Sequence, residues 1–243
     1  MPLDVNGPNG ATLHEVHAEA GLLDVACNLF ESVFPEDKRY LPYVRACAQG
    51  AHASHPYTYD HVWLVRQDGE WVGVRIFSFI TTRTFGHGAY IGFTPSARGR
   101  GLGRWLVDQT QAQLEMDAQK FGKLGSIGYL VEVERVIDAH SEQERIESER
   151  RLQFHRQCDA IVLPLPFMEP VMIEGVDYLS PKDLEGESPR PMHLMLIPSA
   201  RGLAIGNLDL VDLVHGLYLD VYRLPINHSF VRQTLSPLLG VRP

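Results

Sequence analysis

The sequence predicts a mixed α/β fold, a mostly antiparallel central sheet flanked by helices, with a C-terminal strand-helix extension. Three observations carry this expectation. His61-Val62-Trp63-Leu64-Val65-Arg66 and the run from Trp71 to Thr81 are rich in β-branched and aromatic residues, and Asp68-Gly69 between them is a hairpin turn signal. Apolar residues recur at helical spacing on both sides of that hairpin, over about 18–33 and about 101–121. A strand-like stretch, Ala89-Tyr90-Ile91-Gly92-Phe93, runs straight into a glycine-rich loop that opens the second helix.

Composition sets the bounds. The chain has 243 residues, 44% hydrophobic and 21% charged, enough apolar material for a globular protein to fold unaided. A net charge of −8 weighs against non-specific binding to nucleic acid or to anionic membranes. The cysteines Cys27, Cys47 and Cys158 are odd in number and widely spaced, which suits neither a disulfide framework nor a zinc site. His52 and His55 are close, but no second ligand pair stands nearby, so no metal is expected. No apolar run approaches ~18 residues, and the polar start MPLDVNGPNG has no signal-peptide core. A cytoplasmic protein is the simplest expectation.

Taken in order, residues 1–10 cluster Gly, Pro and Asn and read as a loose arm. Thr12 to Val16 alternates as a strand does, although Thr12-x-x-Glu15 also spells a capping box. Leu22, Leu23, Ala26, Leu29, Phe30 and Val33 give the first helix its apolar face, and Phe34-Pro35 ends it. A second helical stretch, about 36–49, is interrupted by Pro42. The hairpin and a third strand into Phe93 make an antiparallel meander. The next helix buries Leu102, Leu106, Leu114, Ala118 and Phe121. Tyr129 to Glu134 is a further core strand. Ser141-Glu142-Gln143-Glu144 caps a charged helix over about 142–157, supported by Glu147 and Arg151 at i,i+4. Ala160 to Leu163 is another strand, 174–191 is loop-rich, Met192 to Ile197 is the last strand, and 207–222 the last helix. The expected organisation is an arm over 1–10, a core over 11–175 and an extension over 176–243. That extension completes the core, covers a binding site or makes a dimer contact.

The motif Pro-Ser-Ala-Arg-Gly occurs at 95–99 and again at 198–202. After the first copy the chain reads Arg98-Gly99-Arg100-Gly101-Leu102-Gly103-Arg104. Alternating glycines let the backbone take positive φ and approach a ligand closely. The first amides of the following helix lack internal partners, so with the helix dipole and the three arginines they favour a phosphate or pyrophosphate. There is no G-K-[ST], which removes a Walker A loop, and G-x-G-x-G after a meander is not the dinucleotide fingerprint. The second copy has Leu203 and Ala204 where the first has Arg100 and Gly101, no meander precedes it, and it is expected to be a look-alike.

Phe93-Thr94-Pro95 followed by Arg98-Gly99-Arg100-Gly101-Leu102-Gly103 resembles the GCN5-related N-acetyltransferase (GNAT) superfamily, and the order of strands and helices resembles it over about residues 12–170. The resemblance implies a GNAT/acyl-CoA N-acyltransferase-like core. It implies that the loop amides hold the pyrophosphate of acetyl-CoA as co-substrate, and that the backbone of Ile91, Gly92 and Phe93 pairs with the pantetheine arm, with Gly92 suited to a bulge. Acetyl transfer to an amine needs the amine deprotonated, the thioester carbonyl polarised and the leaving thiolate protonated. Glu132 and Glu134 share one face of a strand, and side by side would raise each other's pKa, as suits a base. Val131-Glu132-Val133-Glu134 resembles a run in ribosomal-protein N-terminal acetyltransferases in which the matching Glu is the base. Phe154-His155-Arg156-Gln157-Cys158-Asp159-Ala160 stands where the family carries a tyrosine acid and a glycine, with His155 at the Tyr and Asp159 at the Gly. A solvated strand face and a packed helix-end histidine are the alternatives. A nucleophilic pair of Cys158 with His155 is not expected. Tyr40, Tyr43, Tyr57 and Tyr59 are candidates for an acceptor wall or for core. The implied activity is acetyl-CoA-dependent N-acetylation of a primary amine, on a small molecule or a peptide. A different acyl donor, or a non-catalytic acyl-CoA sensor of the same fold, is the alternative. No nucleic acid or membrane partner is expected, and a homodimer is left open.

Overall fold

The computed structural model describes residues 3–18, 21–49, 57–173, 177–178, 189–204 and 206–239. His52 and His55 lie outside them, as does most of the stretch 174–191. In chain order the elements are β1 (Leu3–Asn6), β2 (Thr12–Glu15), α1 (Leu22–Val33), α2 (Leu41–Ala48), β3 (Thr58–Gln67), β4 (Glu70–Ile80), β5 (Gly86–Phe93), α3 (Leu102–Lys120), β6 (Gly128–Glu134), α4 (Glu142–Gln157), β7 (Ile161–Val162), β8 (Phe167–Glu169), β9 (Met172–Ile173), β10 (Asp177–Tyr178), β11 (Arg190–Pro198), α5 (Asn207–His215) and α6 (Ser229–Leu239).

Nine strands form one sheet, in the order β1-β2-β3-β4-β5-β6-β11-β7, with β8 also paired to β11, while β9 and β10 pair separately. Every pairing is antiparallel except β5 with β6. The mixed α/β class expected from sequence is the observed one. The hairpin between β3 and β4 turns on Asp68 (φ 52°) and Gly69 (φ 87°), both left-handed, as a two-residue primed turn requires. Ser141 caps α4 by accepting from the Glu144 amide at 3.2 Å.

Three apolar clusters fill the two faces. On one face α3 and α4 cover Trp63, Val65, Phe77, Phe79, Tyr129, Val131, Val133, Met195 and Ile197. On the other, α1 and α2 cover Val62, Leu64, Val74 and Ile76. Beside them, a layer from the C-terminal part packs Leu213, Val214, Leu217 and Tyr218 on Leu130, Leu194 and Leu196. The C-terminal residues therefore supply an interior strand and a helical layer of the same sheet.

Three local expectations change. Residues 3–10, read from composition as a loose arm, form β1 against β2 and a 3₁₀ turn at Pro8–Gly10. Gly7 lies so close to the Trp105 indole that a Cβ there would meet it at 2.8 Å. The helix expected over 207–222 is α5 followed by a π-helical segment, Gly216–Val221, and at its start Gly216 sits against Phe85, where a Cβ would meet the ring at 2.5 Å. The stretch 36–49 divides at Pro42 into a 3₁₀ segment, Pro35–Tyr40, and α2.

A charged cluster is enclosed under α3. His61 Nδ1 lies 2.8 Å from Glu15 Oε2 and its Nε2 lies 3.1 Å from Asp117 Oδ2, while Trp63 donates to Glu15 at 2.6 Å. Burial opposes both charges. Hydrogen bonds from His17 and His61 nevertheless hold Glu15 down at about 2, and bonds to Asp117 and Glu15 lift His61 to about 9.

Candidate active site

The site begins where β5 and β6 part. Their parallel pairing covers only Gly86 with Tyr129 and His87 with Leu130. From there β5 follows β4 as far as Gly73↔Phe93, and β6 follows β11 as far as Met192↔Glu134. The cause is in the register. Ile76 faces Tyr90 and Ser78 faces His87, so β5 carries one residue more than β4 between these pairs. The extra residue, in Gly88-Ala89, is a bulge, and a bulged strand bends. The sequence pointed to Gly92 for this bulge; its role is different. A Cβ at Gly92 would meet Val33 at 2.4 Å and Phe34 at 2.5 Å, so Gly92 lets the end of α1 rest on the strand.

The glycine loop stands at the end of β5. Gly99 (φ 75°) and Gly101 (φ 80°) are both left-handed and both face open space. Gly101 is the N-cap of α3, with no side chain satisfying the helix's first amides. Those amides and open glycine surfaces fit a pyrophosphate. Arg98 lies exposed with Nε 3.2 Å from the Phe93 carbonyl, and Arg100 reaches Gln67 at 3.4 Å. Leu102 is buried in the core under the loop. Gly103, whose amide is one of these first helix amides, is also a close-packing position, because a Cβ there would meet Phe154 at 2.7 Å. Arg104 is held by Asp108 at 3.1 Å, Asp159 at 2.9 Å and the Gln157 carbonyl at 2.8 Å, so it ties α3 to the end of α4. Asp159, standing at the family's glycine, takes the left-handed conformation that a glycine would (φ 63°).

On the face that carries α1, α2 and the C-terminal layer, an acid-rich cluster stands beside the parting of the strands. Glu132 is buried there, accepting from Tyr222 Oη at 2.8 Å and lying 2.9 Å from His87 Nε2. Burial alone would raise its pKa, but the His87 charge and the two hydrogen bonds pull it below the ordinary carboxylate value. The expectation of two carboxylates raising each other is therefore corrected at Glu132. Glu134 instead pairs with Arg151 at 2.9 Å. Sequence reasoning missed Glu169 and Arg190. Arg190 holds Glu169 through Nε at 3.0 Å and Nη2 at 2.6 Å. Burial nonetheless pushes the Glu169 carboxyl up to about 7, with Glu132 and Glu134 adding to it against the pull of Arg190. Asp37, on the 3₁₀ segment before α2, is also raised, by burial first, with Arg190 and Arg39 opposing. The hydroxyls of Tyr40 and Tyr90 are raised by burial and by these carboxylates. Of the predicted tyrosines, Tyr40 belongs to this wall. Tyr59 lies on the α3 face, where Lys120 donates to it at 2.7 Å.

On the opposite face, under α3 and α4, Arg75 and His155 approach the same parting. Both are buried. His155 is lowered to about 4 by burial and by the Arg75 charge, so it is neutral at pH 7 and not an imidazolium acid. Cys158 is buried and pushed up to about 11, chiefly by burial, which suits no nucleophile. The second Pro-Ser-Ala-Arg-Gly is a packed turn. Ser199 donates to the Ser126 carbonyl at 2.5 Å, and a Cβ at Gly202 would meet the Ile127 carbonyl at 2.0 Å.

Residues 23–130, from α1 to the start of β6, match the model of the acetyltransferase (GNAT) family. No curated protein matches the sequence. Among solved structures, a protein described as a GNAT-family acetyltransferase from Bacteroides thetaiotaomicron aligns with a TM-score of 0.55 at 18% identity, over 88% of this chain and 99% of its own. A GNAT family acetyltransferase from Elizabethkingia anophelis with acetyl-CoA bound aligns with a TM-score of 0.43 at 11% identity, over 76% and 95%. A Bacillus subtilis acetyltransferase in complex with CoA aligns at 0.42 and 14%, over 78% and 97%. At 18% identity the likeness to the Bacteroides protein is one of fold.

Proposed function

Residues 23–130 match the model of the acetyltransferase (GNAT) family, and from that premise we propose that the protein is an acetyl-CoA-dependent N-acetyltransferase acting on a primary amine. The observation that carries this is the parting of β5 from β6, with a glycine loop at its outer end and a cluster of carboxylates on one face, which we take as the wall of an acceptor groove. Acetyl-CoA would supply an activated acyl group on a thioester. Gly99, Arg100, Gly101 and the first amides of α3, with Arg98, would hold its pyrophosphate. The unpaired inner edge of Ile91 to Phe93 would pair with its amide arm.

The groove does the acceptor's part. A protonated amine is drawn to a wall carrying Asp37, Glu132, Glu134 and Glu169. Glu132, low in pKa and fixed by Tyr222 and His87, is a permanent negative charge that positions the ammonium. It is too weakly basic to be the principal proton acceptor. Glu169, up at about 7, is matched to that task at neutral pH, and its side chain is a quarter exposed, so the proton can pass on to water. The base assignment therefore moves from Glu132 to Glu169.

The test is thiol release from acetyl-CoA with a panel of primary amines. A Glu169→Gln variant is expected to lose about 10²- to 10⁴-fold in kcat/KM while binding acetyl-CoA unchanged. Turnover of the variant equal to that of the parent, on an amine the parent acetylates, would remove Glu169 from the chemistry.

A further inference from the structure

Arg75 is 1% exposed, yet no carboxylate pairs with it among the described residues. Its Nε donates to Thr110 Oγ1 at 3.1 Å and its Nη1 to the Tyr90 carbonyl at 3.1 Å. Nη2 has no partner. The guanidinium lies 5.1 Å from the Tyr129 ring centroid. The groups that act on its charge are the Tyr129 and Tyr43 hydroxyls and the His155 imidazole. A buried cation with an unmet donor is costly and calls for an acceptor.

Its position says which acceptor. A Cβ at Gly88 would meet Nη2 at 2.6 Å and the Tyr129 ring at 3.0 Å. Gly88 is the bulged residue just past the last β5–β6 pair, and Tyr129 belongs to that pairing. Nη2 is therefore presented at the apex of the parting. A second unmet atom comes from another element: Nδ1 of His155, on α4, is buried without a partner among the described residues, and the residue is 8% exposed.

Resting on the acetyl-CoA reading above, we propose that Arg75 and His155 form the subsite for the donor's sulfur, where Arg75 holds the departing thiolate as an ion. In the step this serves, the amine nitrogen bonds to the acetyl carbon and the carbon–sulfur bond breaks. The electron pair of that bond stays on sulfur, and the amine's proton leaves through Glu169. The thiolate takes a proton from water on release, so no tyrosine acid is required at position 155. The neutral imidazole adds a hydrogen bond, and a positive charge fixed before reaction costs no reorganisation.

The test compares CoA with desulfo-CoA, which lacks the sulfur, by calorimetric titration of the full chain between pH about 6 and about 9, the range in which an alkyl thiol begins to ionise. The expected result is that the intact protein prefers CoA about ten- to hundredfold at the upper end, with a proton released on binding. Arg75→Gln should erase that preference and leave desulfo-CoA binding unchanged, which also shows that the variant is folded. Gly88→Ala, which displaces the guanidinium without altering it, should erode the preference in the same way. Equal affinity of the intact protein for the two ligands at every pH, or a preference that survives Arg75→Gln, overturns the proposal. If desulfo-CoA and CoA both fail to bind, the acetyl-CoA reading has failed and this subsite falls with it.

Discussion

At the scale of single residues, the carboxylates divide by their surroundings. Glu132 and Glu169 act on one another's charge, yet one is held below the ordinary range and the other is lifted to about 7. The difference lies in their partners: a tyrosine hydroxyl and an imidazole enclose Glu132, while burial outweighs the pull of Arg190 on Glu169. A base whose pKa is about 7 is deprotonated as pH rises through that value. The account predicts that kcat/KM climbs from pH 6 to 8 and levels off, and that Glu169→Gln flattens the rise. A steep rise that persists in the variant would assign the ionisation to another group. Glu132 was legible in the sequence because a seven-residue strand displays its period. Glu169 was not, because β8 is three residues long and its partner Arg190 lies 21 positions later. The sequence left the charge of His155 open, since burial against a guanidinium does not show in a local pattern.

At the scale of elements, the bulge in β5 and the end of the π-helical segment build the proposed groove together. Gly88-Ala89 bends β5 away from β6, and Tyr222, just after the segment Gly216–Val221, stands beside that parting. The order of meander, glycine loop, helix and strand was readable because each carries its own period or turn. The bulge was not readable, because it depends on the register against β4. Tyr222→Phe removes a hydrogen bond to a buried carboxylate and is expected to cost about 1–3 kcal/mol of stability, measured by denaturant unfolding. Leu217→Ala, fully buried in the C-terminal layer, is expected to cost about 2–5 kcal/mol. A Leu217→Ala variant as stable as the parent would mean that this layer contributes little to the core.

At the scale of the whole molecule, one sheet joins the matched family region to the C-terminal layer, and the enclosed Glu15–His61–Asp117 cluster makes its stability depend on pH. His61 is lifted from 6.5 to about 9 on folding. Its contribution is complete below the unfolded value and is lost as pH rises through the folded one. Glu15 is lowered from 4.5 to about 2, so its contribution is present above the unfolded value and is lost as pH falls through the folded one. Thermal melts should show Tm falling between pH 6.5 and 9, and His61→Phe, less stable throughout, should lose that slope. A parent Tm that stays level across this range would contradict the assigned ion pairs.

The central claim is that the loop at the mouth of the parting strands binds acetyl-CoA. Calorimetric titration of the full chain with acetyl-CoA, beside a Gly101→Val variant, tests it most directly. Gly101 sits at φ 80°, where a β-branched side chain is strained, and it caps the helix whose amides are to hold the pyrophosphate. The account predicts saturable binding by the parent and loss of at least about tenfold in the variant, with the melting transition of both intact. A folded parent that takes up no acetyl-CoA would contradict it.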